Sequence, residues 1–185
     1  MKKFLLLLPL ICGACTSTPE PQSAAAAPAA GTSAAPPATA ATGQVVDAQN
    51  GFRGRRFGEP ISAFPTLQLL PRAEGPIQEY AMPYGKEDLQ VGAARVKQIR
   101  YEFYEGKYFR TTITALGGEA DKLLDEVRRV YGLGRETDKM QIWWEGQKVT
   151  ATYQESWEGN KREANFYIWN NNLLARATPV PATEM

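Results

Sequence analysis

Ala120, Leu123, Leu124, Val127, Val130 and Tyr131 fall three, four, seven, ten and eleven positions along from Ala120, one apolar stripe at helical spacing. The spacing predicts a helix over about 118–131. Acidic Glu119 and Asp121 stand in its first turn, Arg128 and Arg129 in its last, and Gly132 follows as a C-cap. Before it, Arg95–Tyr104 and Lys107–Leu116 are rich in aromatic and β-branched residues and flank Glu105-Gly106, the pattern of a hairpin. The apolar residues Ile99, Tyr101, Phe103, Phe109, Ile113 and Ala115 are all odd-numbered, so paired residues must sum to an even number. That predicts an odd loop, Tyr104-Glu105-Gly106, with Gly106 in a bulge.

A second hairpin is expected from Met140–Trp144 and Lys148–Tyr153 around Glu145-Gly146. Met140, Ile142 and Trp144 are even and Val149, Ala151 and Tyr153 odd, so this loop must be even, as in a type I′ turn. The loop Ser156–Arg162 leads to a last strand, Glu163–Trp169, with Phe166 and Ile168 inward. Pro60–Phe64 reads as one helical turn, with short strands near Leu67–Leu70 and Ile77–Tyr80. The expected class is α+β: a single domain with an antiparallel sheet of about six or seven strands and one long helix on one face. Parity leaves Trp143, Tyr167 and Trp169 pointing away from that core, with Trp157 on the adjoining loop. Exposed rings of this kind suit sugar faces, peptides or protein partners; the competing arrangement has the amino-terminal segment folded over them as a second layer.

Composition sets the boundaries. Residues 16–44 hold 11 Ala and 5 Pro, with Glu20 the only charge, and cannot bury enough to offset the entropy of ordering. They read as a flexible tether with a reach of about 30 Å as coil and about 90 Å if fully extended as polyproline II. All four Trp, all eight Tyr and six of the seven Phe lie beyond Gln44, which places the folded domain at 45–176 and a fraying tail at 177–185.

At the amino terminus Lys2 and Lys3 precede the apolar run Phe4–Cys12, far shorter than the ~20 residues that span a bilayer, so residues 1–14 read as a signal peptide. The run ends in Cys12-Gly13-Ala14-Cys15, which resembles the lipobox of bacterial lipoproteins. The resemblance implies that Cys15 becomes the lipidated first residue, although Cys12 stands where that motif carries Leu. Cleavage there leaves Cys15 the lone cysteine, so no internal disulfide can form. Thr16 and Ser17 follow with no Asp, so the resemblance favours the outer membrane, facing the periplasm. An ordinary secretory signal cut near Ala14 is the competing reading. The string Gly51-Phe52-Arg53-Gly54-Arg55-Arg56-Phe57-Gly58-Glu59-Pro60-Ile61, with Ile99–Lys107 and Val130-Tyr131-Gly132, resembles a module of bacterial exported proteins over about 51–132. That resemblance implies no catalytic residue.

With 21 Lys+Arg against 20 Asp+Glu, the net charge of +1 gives no electrostatic hold on nucleic acid, and the absence of His removes His-dependent triads and His-ligated metals. No cofactor or metal motif occurs. Arg53, Arg55 and Arg56 beside Phe52 and Phe57 are candidate contacts for an anion, or a solvated turn between two core rings. Glu102, Glu145, Glu155 and Glu158 are the carboxylates from which a glycoside-hydrolysing pair would have to come. The sequence therefore points to a membrane-anchored envelope lipoprotein whose domain is a non-enzymatic binding or assembly module for an envelope protein or cell-wall component. A carboxylate-dependent glycan-acting enzyme and a purely structural envelope protein are the alternatives.

Overall fold

A computed structural model describes residues 38–71, 75–137 and 140–178, with side chains from residue 43. The signal segment, Cys15, the tether up to residue 37 and the tail beyond Thr178 lie outside the described residues. The helices are α1 (Ala38–Gln49), α2 (Glu119–Tyr131) and α3 (Asn171–Ala177). The strands are β1 (Gly51–Phe52), β2 (Arg55–Arg56), β3 (Gln68–Leu69), β4 (Ile77–Ala81), β5 (Gln90–Val91), β6 (Ala94–Arg95), β7 (Gln98–Tyr104), β8 (Lys107–Leu116), β9 (Arg135–Thr137), β10 (Gln141–Glu145), β11 (Val149–Glu158) and β12 (Lys161–Asn170). Eight of them form one antiparallel sheet, ordered β3-β4-β7-β8-β12-β11-β10-β9, while β1-β2 and β5-β6 are two-stranded ribbons.

The class is α+β, as expected, but the sheet is wider than six or seven strands and α2 is not the only helix. Two of the unexpected elements are short: β9 has three residues and α3 seven, less than a periodic pattern needs to become visible. α1 begins at Ala38, inside the segment assigned to the tether, and Ala177 is buried, so the domain extends past both expected boundaries.

α2 buries Ala120, Leu123, Val127 and Tyr131 against one sheet face, meeting Ile113, Ala115, Trp144, Tyr153 and Phe166 there. The N–H of Gly132 closes the helix on Arg128 O. Phe57 and Phe64 join this same layer, packing on Tyr108 at centroid distances of 4.9 and 5.2 Å. Among the described residues the amino-terminal segment thus thickens the helical layer and does not fold over the opposite face.

The first hairpin corrects the expected loop. Ile99 pairs with Ile113 in the even-sum register, but beyond Glu102 the register slips, and Phe103 faces Tyr108. Glu105 and Gly106, with φ of 49° and 72°, make a two-residue turn of the primed kind, and the odd residue is a bulge in β8. Tyr108 therefore takes the core position assigned to Phe109. Phe109 turns to the other face, where Leu173 and Ala177 of α3 cover it.

In the second hairpin Trp144 pairs with Ala151, the expected even loop. Its turn is not type I′, since neither Gln147 nor Lys148 has positive φ. The turn is held from outside: the Asp47 carboxylate of α1 accepts N–H bonds from Gln147, Lys148 and Val149 at 2.8–2.9 Å. Met140 lies before β10 with φ of 54° and its side chain exposed, so it does not join the core.

Candidate functional site

The face of the sheet away from α2 carries the even positions of β7, β8 and β11 and the odd positions of β10 and β12. Pairing sets Arg100, Thr112, Tyr167, Thr152 and Trp143 in one row across five strands. The neighbouring row runs Glu102, Arg110, Trp169, Thr150, Glu145. Trp143 and Trp169 meet edge to face, centroids 6.1 Å apart at 89°. Both rings and Tyr167 are half-buried over a floor of Thr112, Thr114, Thr150 and Thr152, all buried. Burial raises the Tyr167 hydroxyl above its ordinary value, against the opposing pull of Arg110 and Arg100. α3 covers this face only at the Phe109 end, where Arg176 stacks on Tyr104 and pairs with Glu105.

Around the rings, charge on this face is compensated pair by pair. Glu102, 3% exposed, is held by the Arg110 guanidinium through both oxygens and accepts the Thr112 hydroxyl at 3.0 Å. Arg100 pairs with Glu79, Arg135 with Glu145 and Lys97 with Glu163, at 3.2, 2.7 and 3.5 Å. Arg110 stands beside Trp169 in its row, and the other pairs lie further out around an uncharged band of Trp143, Tyr167, Trp169, Gln154, Asn165 and the threonines. Two buried donor-bearing atoms in the first row, Thr152 Oγ1 and Arg100 Nε, have no hydrogen-bond partner among the described residues.

Trp143, Tyr167 and Trp169 thus come together as parity indicates, and Trp157 does not join them. β11 continues to Glu158, and Trp157, an odd position, stands on the α2 side, 60% exposed with the Arg162 guanidinium 6.0 Å from its ring. The expected loop Ser156–Arg162 shrinks to the turn Gly159-Asn160 because β11 and β12 stay paired to Glu158 and Lys161.

The arginine cluster disperses. Arg53, at φ of 50°, donates to Glu87 Oε1, Asp88 O and Gln90 O at 2.6–2.8 Å, clamping the segment before β5. Arg55 lies over Phe64 and beside Glu59, and Arg56 is exposed in β2. The four carboxylates do not face one another. Glu102 and Glu145 share the open face but lie on β7 and β10, four strand spacings or about 19 Å apart. Glu155 is on the helical side, where bonds from Arg162 hold it below its ordinary value against the effect of burial. Glu158 is exposed near the β11–β12 turn.

Sequence reading missed a cleft of about 730 Å³ between the β3–β4 end and the loop before β5, lined by Leu70, Met82, Tyr84, Glu87, Leu89 and Ile99 among others. Burial raises Glu87 there, partly offset by Arg53, and its Oε2 has no hydrogen-bond partner among the described residues. Nothing periodic marks this segment, so no pattern in the sequence pointed to it. Among the described residues no cluster of three or more Cys, Asp or Glu is arranged to hold a metal ion, and no helix is long and apolar enough to cross a membrane. Comparison of the chain with protein-family models, curated proteins and solved structures gives no match, and the site is defined by its own geometry alone.

Proposed function

We propose that this chain is a lipid-anchored protein of the bacterial cell envelope, held in the outer membrane through Cys15 and facing the periplasm, and that its α+β domain is a non-enzymatic binding or assembly module. The binding surface is the open sheet face, with Trp143, Tyr167 and Trp169 at its centre. The observation that carries this reading is the asymmetry of the sheet among the described residues: α1, α2 and the Phe57–Phe64 segment cover one face, while three large rings stand on the other with only α3 at its edge. A sheet face that merely meets water is served by short polar side chains, and clustered Trp and Tyr are the residues that dominate binding interfaces. The arginine partners of Glu102, Glu145 and Glu155 favour a structural use of these carboxylates.

Two variants test the proposal. Cys15→Ser removes the lipid acceptor and is expected to move the protein from the membrane fraction to the periplasmic one; unchanged membrane partitioning would defeat the anchor. Trp143→Ala with Trp169→Ala is expected to weaken capture of the envelope partner by about 2 kcal/mol or more with a small stability change. Unfolding of the double variant, at the ~3–5 kcal/mol per site of fully buried rings, would assign them to the core instead.

A further inference from the structure

We infer that the open sheet face binds an uncharged glycan chain. This rests on that face being the binding surface, and it follows from the chemistry the surface offers. The charged residues beside the rings, Arg100, Glu102, Arg110, Arg135 and Glu145, all have ion-pair partners, and Glu158 and Lys161, without one among the described residues, stand away from the rings at the β11–β12 turn, so a charged ligand such as nucleic acid, an acidic or basic peptide or a phospholipid headgroup would meet no free counter-charge at the rings. A purely apolar partner, or a second copy laid face to face, would have to bury Gln154, Asn165 and the threonine row as well as the ion pairs, at a cost for each unmatched polar group. A sugar chain meets both demands. Its C–H faces stack on rings, and its hydroxyl and ether oxygens accept hydrogen bonds without bringing charge.

The buried polar atoms point the same way. Thr152 is 7% exposed and lies between Tyr167 and Trp143 in its row, and among the described residues its hydroxyl has no partner; Arg100 Nε, in the same row, also lacks one. Arg100 Nε can only donate and the Thr152 hydroxyl can donate or accept, so a neutral group bearing oxygens beside the rings would satisfy both. Native proteins leave few buried polar groups unpaired, and ligand oxygens reaching between shifted rings would supply the missing acceptors.

The test is a titration of the purified full-length protein with chitohexaose, an uncharged oligosaccharide, followed by tryptophan fluorescence, with heparin as the polyanionic comparison. Saturable binding of chitohexaose is expected, changing little between about 0.05 and 0.5 M salt because no screened charges are involved. Trp169→Ala should weaken it at least about tenfold. Thr152→Val, nearly isosteric, should weaken it severalfold while leaving the melting temperature unchanged or higher, an outcome that loss of fold could not produce. No saturable signal with chitohexaose or cellohexaose at millimolar concentration would overturn the inference. So would salt-sensitive binding to heparin in its place, or a dimer that Trp169→Ala dissociates. If neutral sugars fail but the Trp143/Trp169 variant still loses envelope capture, the glycan falls and the binding surface stands; if capture also persists, both fall.

Discussion

Helix α1 rises from an Ala- and Pro-rich segment, and one glycine decides whether it belongs to the folded domain. Gly43 lies within the helix and is absent from the positive-φ positions, so an L-residue fits its backbone. In a free helix Gly43→Ala would stabilise by about 1 kcal/mol, because alanine loses less backbone entropy. In the packed domain a Cβ there would sit 2.8 Å from the carbonyl oxygen of Glu145 and 3.6 Å from Gly146 Cα, at the β10–β11 turn. The obstacle is backbone, which cannot rotate aside as a side chain could. Overpacking of this kind costs about 1–3 kcal/mol, which offsets the propensity gain and leaves a net loss of about 1 kcal/mol. Urea unfolding of Gly43→Ala beside Gln44→Ala, whose side chain is exposed, isolates the effect. A midpoint below wild type for Gly43→Ala, with Gln44→Ala equal to or above it, is expected. A raised midpoint for Gly43→Ala would refute the docking of α1 and restore a flexible tether up to residue 44.

Three further outcomes follow from the same contacts. Asp47→Ala removes a carboxylate that accepts three backbone N–H groups and should cost about 2 kcal/mol, measured by urea unfolding; a loss below ~0.5 kcal/mol would mean that the turn holds itself. Glu102→Ala leaves the partly exposed Arg110 without its partner and should cost about 2 kcal/mol, and an unchanged melting temperature would show that water replaces the pair. Glu155, lowered chiefly by Arg162, contributes stability that is complete above its ordinary value of 4.5 and is lost as pH falls through its depressed value. Melting curves of Glu155→Gln should therefore fall less steeply with acidification over that window than those of wild type, and parallel curves would contradict the assignment.

The parts of this architecture legible in the sequence are those fixed by local period. α2 shows its stripe, its end charges and Gly132, and strands β7, β8, β10, β11 and β12 alternate clearly enough that parity alone turned Trp143, Tyr167 and Trp169 outward. What parity cannot see is where a strand gains a residue. An odd hairpin loop and a two-residue turn with a bulge satisfy the same even sum, and they exchange Tyr108 for Phe109 in the core. Trp157 escaped for a related reason: the composition of Ser156–Arg162 reads as a loop, but pairing with β12 carries β11 on to Glu158. α1 was hidden because the contacts that tie it down, from Asp47 to Gln147, Lys148 and Val149, span about a hundred residues of chain. The arginine cluster lost its expected role on the same grounds, since the acceptors that occupy Arg53 lie more than thirty residues away.

The most direct test of the central claim, that the open sheet face is the working surface, is site-specific photo-cross-linking in intact envelopes. A photoreactive residue at Gln154, exposed on the open face, is compared with one at Lys122, exposed on α2. Adducts from position 154, abolished by Trp143→Ala with Trp169→Ala, and none from position 122 are the predicted result. Adducts from position 122 with none from 154 would contradict the account and place the working surface on the helical side.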